Sequence, residues 1–467
     1  SNVLHLNYEL LPNLRNERGY NWEKVSSNSL GERGLEPDSN KKNIAVLGDS
    51  FAFGFGLNND KTNSNLNWMV SVFASQAEAE SYPISSGGNQ LAVIRDTDRR
   101  EFEQLITGGN IEWSPVQHWN LQLSGGWAHY EEQNISPGIA AGVFSGVPPL
   151  ESDSEYERGN LIFSNSLSLN GVLDLGFGAE LIHEQGQIKS LIDFGFPIAA
   201  NFTHQRNTWA LFAEAAVHLN KPLSLITSVR RDDTEKLSST NGRIALNFNI
   251  EQSASTISLI YSEGFKLPSL FALGHPLTGN PDLDPESSRS YAFEFRQPLF
   301  NDQIQTAISI YHNRFKDLVD FDANTFSHVN RDSATTKGID ASFSAKLGSS
   351  VRFRGSASYL HTKVSDGSRL ERRPKWKGAM GLSWQPAEAW LLTLQGNIKG
   401  DFYDAAIPTG EVILDGYTHI DSSIQWQMTK KIQLKLLLKN AFDNSYEEAV
   451  GFSAEDREAR LSIIVAL

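Results

Sequence analysis

From residue 65 to residue 467 the sequence alternates apolar and polar residues in segments of about ten, each closed by a turn or a polar loop. Trp119, Leu121, Leu123 and Trp127 are interleaved with Asn120, Gln122 and Ser124. Ile244, Leu246, Phe248 and Ile250 alternate with Arg243, Asn247 and Asn249. The same period returns in Trp390, Leu392, Leu394 and Ile398, and in Ile432, Leu434, Leu436 and Leu438. A period of two places one set of side chains on one face of a strand and the other set on the opposite face. Sliding any of these strands by one residue would carry Lys, Arg and Asn onto the apolar face, so the pattern also fixes register.

The second face is wet rather than oily. Lys, Arg and Asn opposite Trp, Leu and Ile fit a wall between lipid and water better than a sandwich of two sheets. Alternation halves the apolar content of each segment. Mean hydropathy is accordingly only −0.34 with 40% hydrophobic residues, and no apolar run approaches the roughly 18 residues of a spanning helix. The expected fold class is all-β: an antiparallel transmembrane β-barrel with about 18 recognisable strands. Trp113, Trp119, Trp127, Trp209, Trp376, Trp384, Trp390 and Trp426 lie near strand ends or on apolar faces, where an aromatic girdle or ordinary packing would use them. Short turns are expected at Leu347-Gly348-Ser349-Ser350 and Met428-Thr429-Lys430-Lys431, on the periplasmic side. Longer extracellular loops are expected at 133–156, 184–205, 273–288, 317–336 and 401–415.

The net charge of −14 argues against nucleic acid as a partner. There is no cysteine, so neither a disulfide scaffold nor a thiolate metal site is expected. The chain begins at Ser1 without a charged-then-apolar leader, and is read as a mature, cut or fragmentary polypeptide.

Five stretches go beyond periodicity. Gly264-Phe265-Lys266-Leu267-Pro268 precedes Gly279-Asn280-Pro281-Asp282-Leu283-Asp284-Pro285-Glu286. Tyr311-His312-Asn313 leads through Leu318-Val319-Asp320-Phe321 to Lys337-Gly338-Ile339-Asp340. Arg372-Arg373-Pro374 and Asn440-Ala441-Phe442-Asp443-Asn444-Ser445-Tyr446 follow. Their order and spacing resemble the barrel signatures of TonB-dependent outer-membrane receptors, closest to the cobalamin-transporter and siderophore-receptor branch. Read physically, the same residues are chiefly architectural. Pro281 and Pro285 force extended backbone on the residue before each, and Asn440 and Asp443 suit a tight turn.

The resemblance implies a barrel of up to about 22 strands, placed in the outer membrane of a Gram-negative bacterium among lipid and lipopolysaccharide. It implies uptake of a large scarce solute, a siderophore or a corrinoid, driven by an inner-membrane energy-coupling complex. Such receptors carry a plug inside the barrel. No plug is recognisable here, so the barrel is expected not to be energised by itself. The final segment Leu461-Ser462-Ile463-Ile464-Val465-Ala466-Leu467 ends without the family's usual aromatic residue.

The chain divides near residue 63, with the barrel at 64–467 and something different at 1–63. Leu6-Asn7-Tyr8-Glu9-Leu10-Leu11-Pro12-Asn13, Asn28-Ser29-Leu30-Gly31-Glu32-Arg33-Gly34 and Ile44-Ala45-Val46-Leu47-Gly48-Asp49-Ser50-Phe51 resemble the N-terminal part of SGNH/GDSL hydrolases. That resemblance makes Ser50 a weak candidate nucleophile, with Asp49 beside it. A nucleophile needs a base within hydrogen-bond reach, and no aspartate is followed by histidine three positions later, as the family's block requires. The chain is therefore not expected to be an enzyme; the alternatives are a serine esterase or acyltransferase with a barrel anchor, and a passive porin. A competing reading makes 42–56 an early barrel strand, because Ile44, Val46, Phe51, Phe53 and Phe55 partly alternate.

Glu151, Asp153, Glu155 and Glu157 form an acidic cluster in an expected extracellular loop. They are weak candidates for Ca²⁺, against the plainer reading of a solvated loop; Asp282, Asp284 and Glu286 stand likewise. No other cofactor is expected. Lumen-facing Arg352, Arg354, Lys435 and Lys439 would steer anions or pair with lumen carboxylates.

Overall fold

A computed structural model describes residues 66–465 except 221, 323, 324, 332 and 368, together with the backbone of four short strands upstream. The strands close into one antiparallel barrel. Its perimeter holds twenty-one segments. Two of them, Pro197–Ala199 and Phe202–Asn220, keep a single register against Leu173–Asp193 and act as one strand interrupted at Ala200 and Asn201. Counting these as one leaves twenty, within the expected span. Asn43–Ala45 and Phe51–Asn58 belong to the wall, where Asn43 pairs with Gly56 and Phe51 with Ala74. Asp49 and Ser50 lie outside the described residues.

Cross-strand pairing shows why this sequence makes a wall. Residues directly opposite on paired strands share a face. One unbroken row runs Leu225, Leu246, Leu259, Phe293, Ile310, Ile339, Tyr359 and Trp376 over eight successive strands. Phe163, Leu181, Leu211, Ile244 and Leu259 are each about half exposed, from 45% to 58%. In a water-soluble fold that much apolar surface would be a liability. Here it is the lipid-facing belt. The inward positions carry Arg352, Arg354, Lys435 and Lys439, as their parity requires.

Two of the expected loops are too long. Strands Trp119–Ser136 and Leu150–Leu169 leave a connection of only 137–149 where 133–156 was expected. Strands Leu173–Asp193 and Phe202–Asn220 likewise consume most of 184–205. Glu151, Asp153 and Glu155 therefore stand on a strand and not in a loop. The reason is solvent. Above the lipid both faces of a strand are wet, so the sequence loses its apolar half-period while backbone pairing continues.

Among the described residues the larger buried apolar side chains lie mostly in the extracellular loops: Leu270, Leu283, Phe402, Ile407 and Val450. The connections at the opposite end stay short, as at Gly348 and at 428–431.

Candidate functional site

Two loop assemblies close over different parts of the extracellular mouth. The first is built from the segment after strand Ser255–Lys266. Ser269 caps the short helix Leu270–Gly274 by accepting from the Ala272 amide. Leu270 packs against Gly186 of the inner wall, and a side chain at Gly274 would meet Phe202 at 3.0 Å. The helix is thus folded inward, against strands Leu173–Asp193 and Phe202–Asn220. Below it, Arg206 forms an ion pair with Glu184 at 2.7 Å, Tyr156 donates to Glu184 at 2.8 Å, and Arg206 Nη1 donates to the Pro268 carbonyl at 2.8 Å. The signature proline is therefore anchored to the lumen wall by a charge pair whose side chains are only 14% and 15% exposed.

The same loop is latched to the hairpin formed by Leu318–Asp322 and Ser327–Arg331. Asn280 Nδ2 donates to the His328 carbonyl at 3.0 Å, and the His328 amide donates to the Thr278 carbonyl at 2.9 Å. Asn330 accepts from the Asp284 amide and donates to the Asp284 and Asp317 carbonyls. Glu286 accepts from the Val319 amide at 3.1 Å and from Lys266 at 3.3 Å. An aromatic cluster fills the join. Phe271 lies 4.7 Å from His275 and 5.8 Å from His328, while Phe321 contacts both Phe326 and His328. Phe271, Phe321 and Phe326 remain exposed at the mouth. His275 is buried, which holds its pKa below the ordinary imidazole value, with His328 nearby adding to the effect. Its Nδ1 accepts from the Thr278 amide at 3.1 Å, a bond that needs the neutral ring.

The second assembly centres on the hairpin of Phe402–Ala406 and Gly410–Leu414. Asp404 is 1% exposed. It accepts from Arg372 Nε at 2.8 Å and from the Val450 amide at 2.9 Å. Ile407 donates its amide to Ser85 and accepts at its carbonyl from Phe144, tying the hairpin to loops on the far side of the mouth. Gly451 has φ +75° and sits against Gly87, where any side chain would collide with backbone. Pro374 is fully buried, and Arg373 donates to the neighbouring Arg372 carbonyl.

The remaining signature residues sit at strand ends. Gly338 faces Tyr311, whose ring would meet an added Cβ at 2.3 Å. Asn440 and Asp443 adopt left-handed backbone, and Asn440 holds the Asn444 and Glu455 carbonyls. Tyr446 stacks on Tyr417 at 3.8 Å, and Phe442 is 68% exposed. Gly264 and Phe265 close strand Ser255–Lys266, with Gly279, Asn280, Pro281 and Pro285 in the latched loop and Lys337 on the outer face.

The outer wall carries a further constellation. Glu103, Glu131 and Glu155 lie directly opposite one another across three strands, and His129 faces Glu157. His129 stands 3.0 Å from Glu131 and 3.3 Å from Glu157. His129, Glu131 and Glu155 offer ligand atoms within 4.8 Å of one another. Glu155 is a residue expected from sequence. His129 and Glu131 were missed, because only strand pairing brings them beside it. Arg206 and Glu184 were missed for the same reason.

Residues 37–441 match the family described as TonB dependent receptor-like, beta-barrel. The chain belongs to this family. Its members are multi-strand β-barrel proteins of the Gram-negative outer membrane, and that is where this barrel resides. The match starts upstream of Asp49 and Ser50, so it includes the last of the three hydrolase-like stretches and leaves the first two outside. The vitamin B12 transporter BtuB of Vibrio cholerae is 26% identical over 321 residues, 67% of this chain and 50% of the relative. The chain thus spans about half the length of the curated relatives it matches. The ferripyoverdine receptor of Pseudomonas aeruginosa superposes with a TM-score of 0.72 at 13% identity, covering 89% of this chain and 64% of that one. The ferric yersiniabactin uptake receptor FyuA of Yersinia pestis gives 0.71 at 13% identity, covering 88% and 68%. These identities speak for the fold alone.

Proposed function

We propose that this receptor barrel takes up a large, scarce solute of the siderophore or corrinoid class. The observation that carries the reading is the exposed aromatic cluster of Phe271, Phe321 and Phe326, held at the mouth of a wide polar barrel by a hydrogen-bonded latch. Aromatic faces bury large areas of a rigid ligand at small entropic cost. Latched loops lower the ordering cost of binding. Energy coupling would require the plug that such receptors carry.

Cyanocobalamin and a panel of ferric siderophores are the probes, titrated against the purified barrel by tryptophan fluorescence. One class is expected to bind saturably. Replacing both Phe271 and Phe321 by Ala is expected to weaken that binding at least about tenfold, the scale of buried anchor residues. Steady conductance in planar bilayers with no saturable binding of either class would instead make the chain a passive pore.

A further inference from the structure

We infer that the inner wall formed by strands Ala334–Leu347, Val351–Val364, Trp376–Ala387 and Trp390–Lys399 is a binding track for a polycarboxylate solute in the lumen. The inference rests on the uptake reading and narrows it from a siderophore or corrinoid to an anionic metal chelate. Two pairs of cations mark the ends of the track. Lys377 lies directly opposite Lys399 near the mouth, and Lys346 lies directly opposite Arg352 beside the short turn at Gly348. All four are inward by parity, since their neighbours Trp376, Ile398, Leu347 and Phe353 belong to the outward set.

Like charges placed opposite one another oppose strand pairing. Lys346, Arg352 and Lys377 are exposed and have no ion pair among the described residues. Lys399 holds its Nζ 3.6 Å from the centre of the Phe402 ring. Elsewhere on the inner wall the cations are matched. Arg206 pairs with Glu184, and Arg230 with Glu180 and Asp232, each at 2.7 Å. Lys439 pairs with Glu455 and Glu458, each at 3.5 Å. Asp340 shares the upper row of the track, but Ser358 stands between it and Lys377.

Between the two ends the wall is hollow. Ala307, Ser342, Ser356, Ala379 and Gly381 line a concavity of about 660 Å³, with Arg296 and Arg354 at its sides. Among the described residues Asp302 is the one carboxylate in that lining. Charge and length together select the occupant. The lower row meets strand Trp376–Ala387 at Ser383, six residues past Lys377, a span of about 20 Å. A small anion would meet one pair of cations only. A chelate with carboxylates on both flanks can engage the upper pair, cross the hollow and reach the lower pair. The guanidinium fork of Arg352 suits a carboxylate, which it can bind through two parallel hydrogen bonds. A neutral solute would leave the opposed cations unbalanced.

The test uses the purified chain in detergent, with propane-1,2,3-tricarboxylate as the probe and the uncharged triamide of the same skeleton as control. Lysines are briefly acetylated at constant ionic strength, and each site is read by peptide mass spectrometry. The tricarboxylate should slow acetylation of Lys346 and Lys377 at least about threefold once the sites are mostly occupied. Lys189, on the outer wall opposite Asp153, should react as before. The triamide should protect neither lumen lysine. Arg352→Gln should remove the protection of Lys346 and keep that of Lys377, so the upper pair reports that the variant is folded. The wild-type arms need no variant to fold. No protection in wild type, equal protection by the triamide, equal slowing at Lys189, or protection of Lys346 that survives Arg352→Gln would each overturn the assignment. Binding at the mouth is read separately by tryptophan fluorescence. Saturable binding there with unprotected lumen lysines breaks this inference and leaves the uptake reading; protected lysines without saturable binding at the mouth do the reverse.

Discussion

The outer wall just above the lipid belt divides into two sectors of opposite sign. From strand Leu66–Ser81 to strand Leu150–Leu169 the outward positions carry a row of carboxylates: Glu78 faces Glu101, Glu103 faces Glu131, and Glu131 faces Glu155. From Glu286–Leu299 to Val351–Val364 they are basic, with Arg289 against Arg314. Beneath both sectors the belt is apolar, with Leu, Ile and Phe in each, Trp on the acidic side and Tyr291 and Tyr359 on the basic side. The hydrophobic pattern therefore specifies the wall, while the rim is free to vary and can specify what the wall meets. Each sector opposes like charges directly, an arrangement that ions or headgroups of the other sign would stabilise.

The loops above the sectors also differ. Over the acidic side, the hairpin around Asp404 reaches across to Ser85 and Phe144. Over the basic side, two neighbouring loops latch through Asn280 and Asn330. Removing a partner from a buried charge pair is the most damaging change available. Asp404→Ala should cost about 3–5 kcal/mol, seen as fast hydrogen exchange in the hairpin and in loop 440–457, with the latch near His275 unaffected. If exchange rises equally in both assemblies, they are not independent.

The belt should be blind to the sector above it. Phe163→Arg under the acidic rim and Ile308→Arg under the basic rim should each lose about 2–4 kcal/mol in reversible folding into lipid vesicles. A loss in one and not the other would mean that the belt is discontinuous.

The acidic row should respond to cations where the basic sector does not. Glu131→Gln should stabilise the barrel by about 0.2–1 kcal/mol in chelator, by relieving repulsion from Glu103 and Glu155. It should also reduce the rise in melting temperature that Ca²⁺ gives wild type. A Ca²⁺ response unchanged by Glu131→Gln would remove this row as a cation site.

A smaller effect separates the loops by pH. Burial holds the His275 pKa below its unfolded value, so the unfolded loop takes up a proton first as pH falls. The latch should keep full stability above about pH 6.5 and lose it progressively below, down to the depressed folded pKa. Hydrogen exchange, corrected for intrinsic rates, should quicken in loop 267–285 between pH 7.5 and 5.5 but not in the Asp404 hairpin. His275→Gln should abolish that difference. The smallest expectation is none at all: Ser50 should stay unlabelled by a serine-directed phosphonate, and labelling with ester turnover would revive the hydrolase alternative.

The period-two pattern in segments such as Ile244–Ile250 made the barrel legible, because lipid on one side and water on the other dictate residue type at every other position. The Gly264–Pro268 and Asn440–Tyr446 stretches were legible because glycine, proline and Asx residues carry their backbone constraints locally. The acidic residues Glu151, Asp153 and Glu155 were visible but misplaced in a loop, since polar residues on both faces give no period to read.

What the linear order by itself determined is the wall: strands, faces, register and the charge total. What only the tertiary structure decided is which residues face each other across strands. Glu131 lies 24 residues from Glu155 in sequence, Arg289 lies 25 from Arg314, and Arg206 lies 62 from the proline it holds. Each of these partnerships is made by antiparallel pairing or loop folding. Register converts isolated charges into a row, and electrostatic meaning belongs to the row.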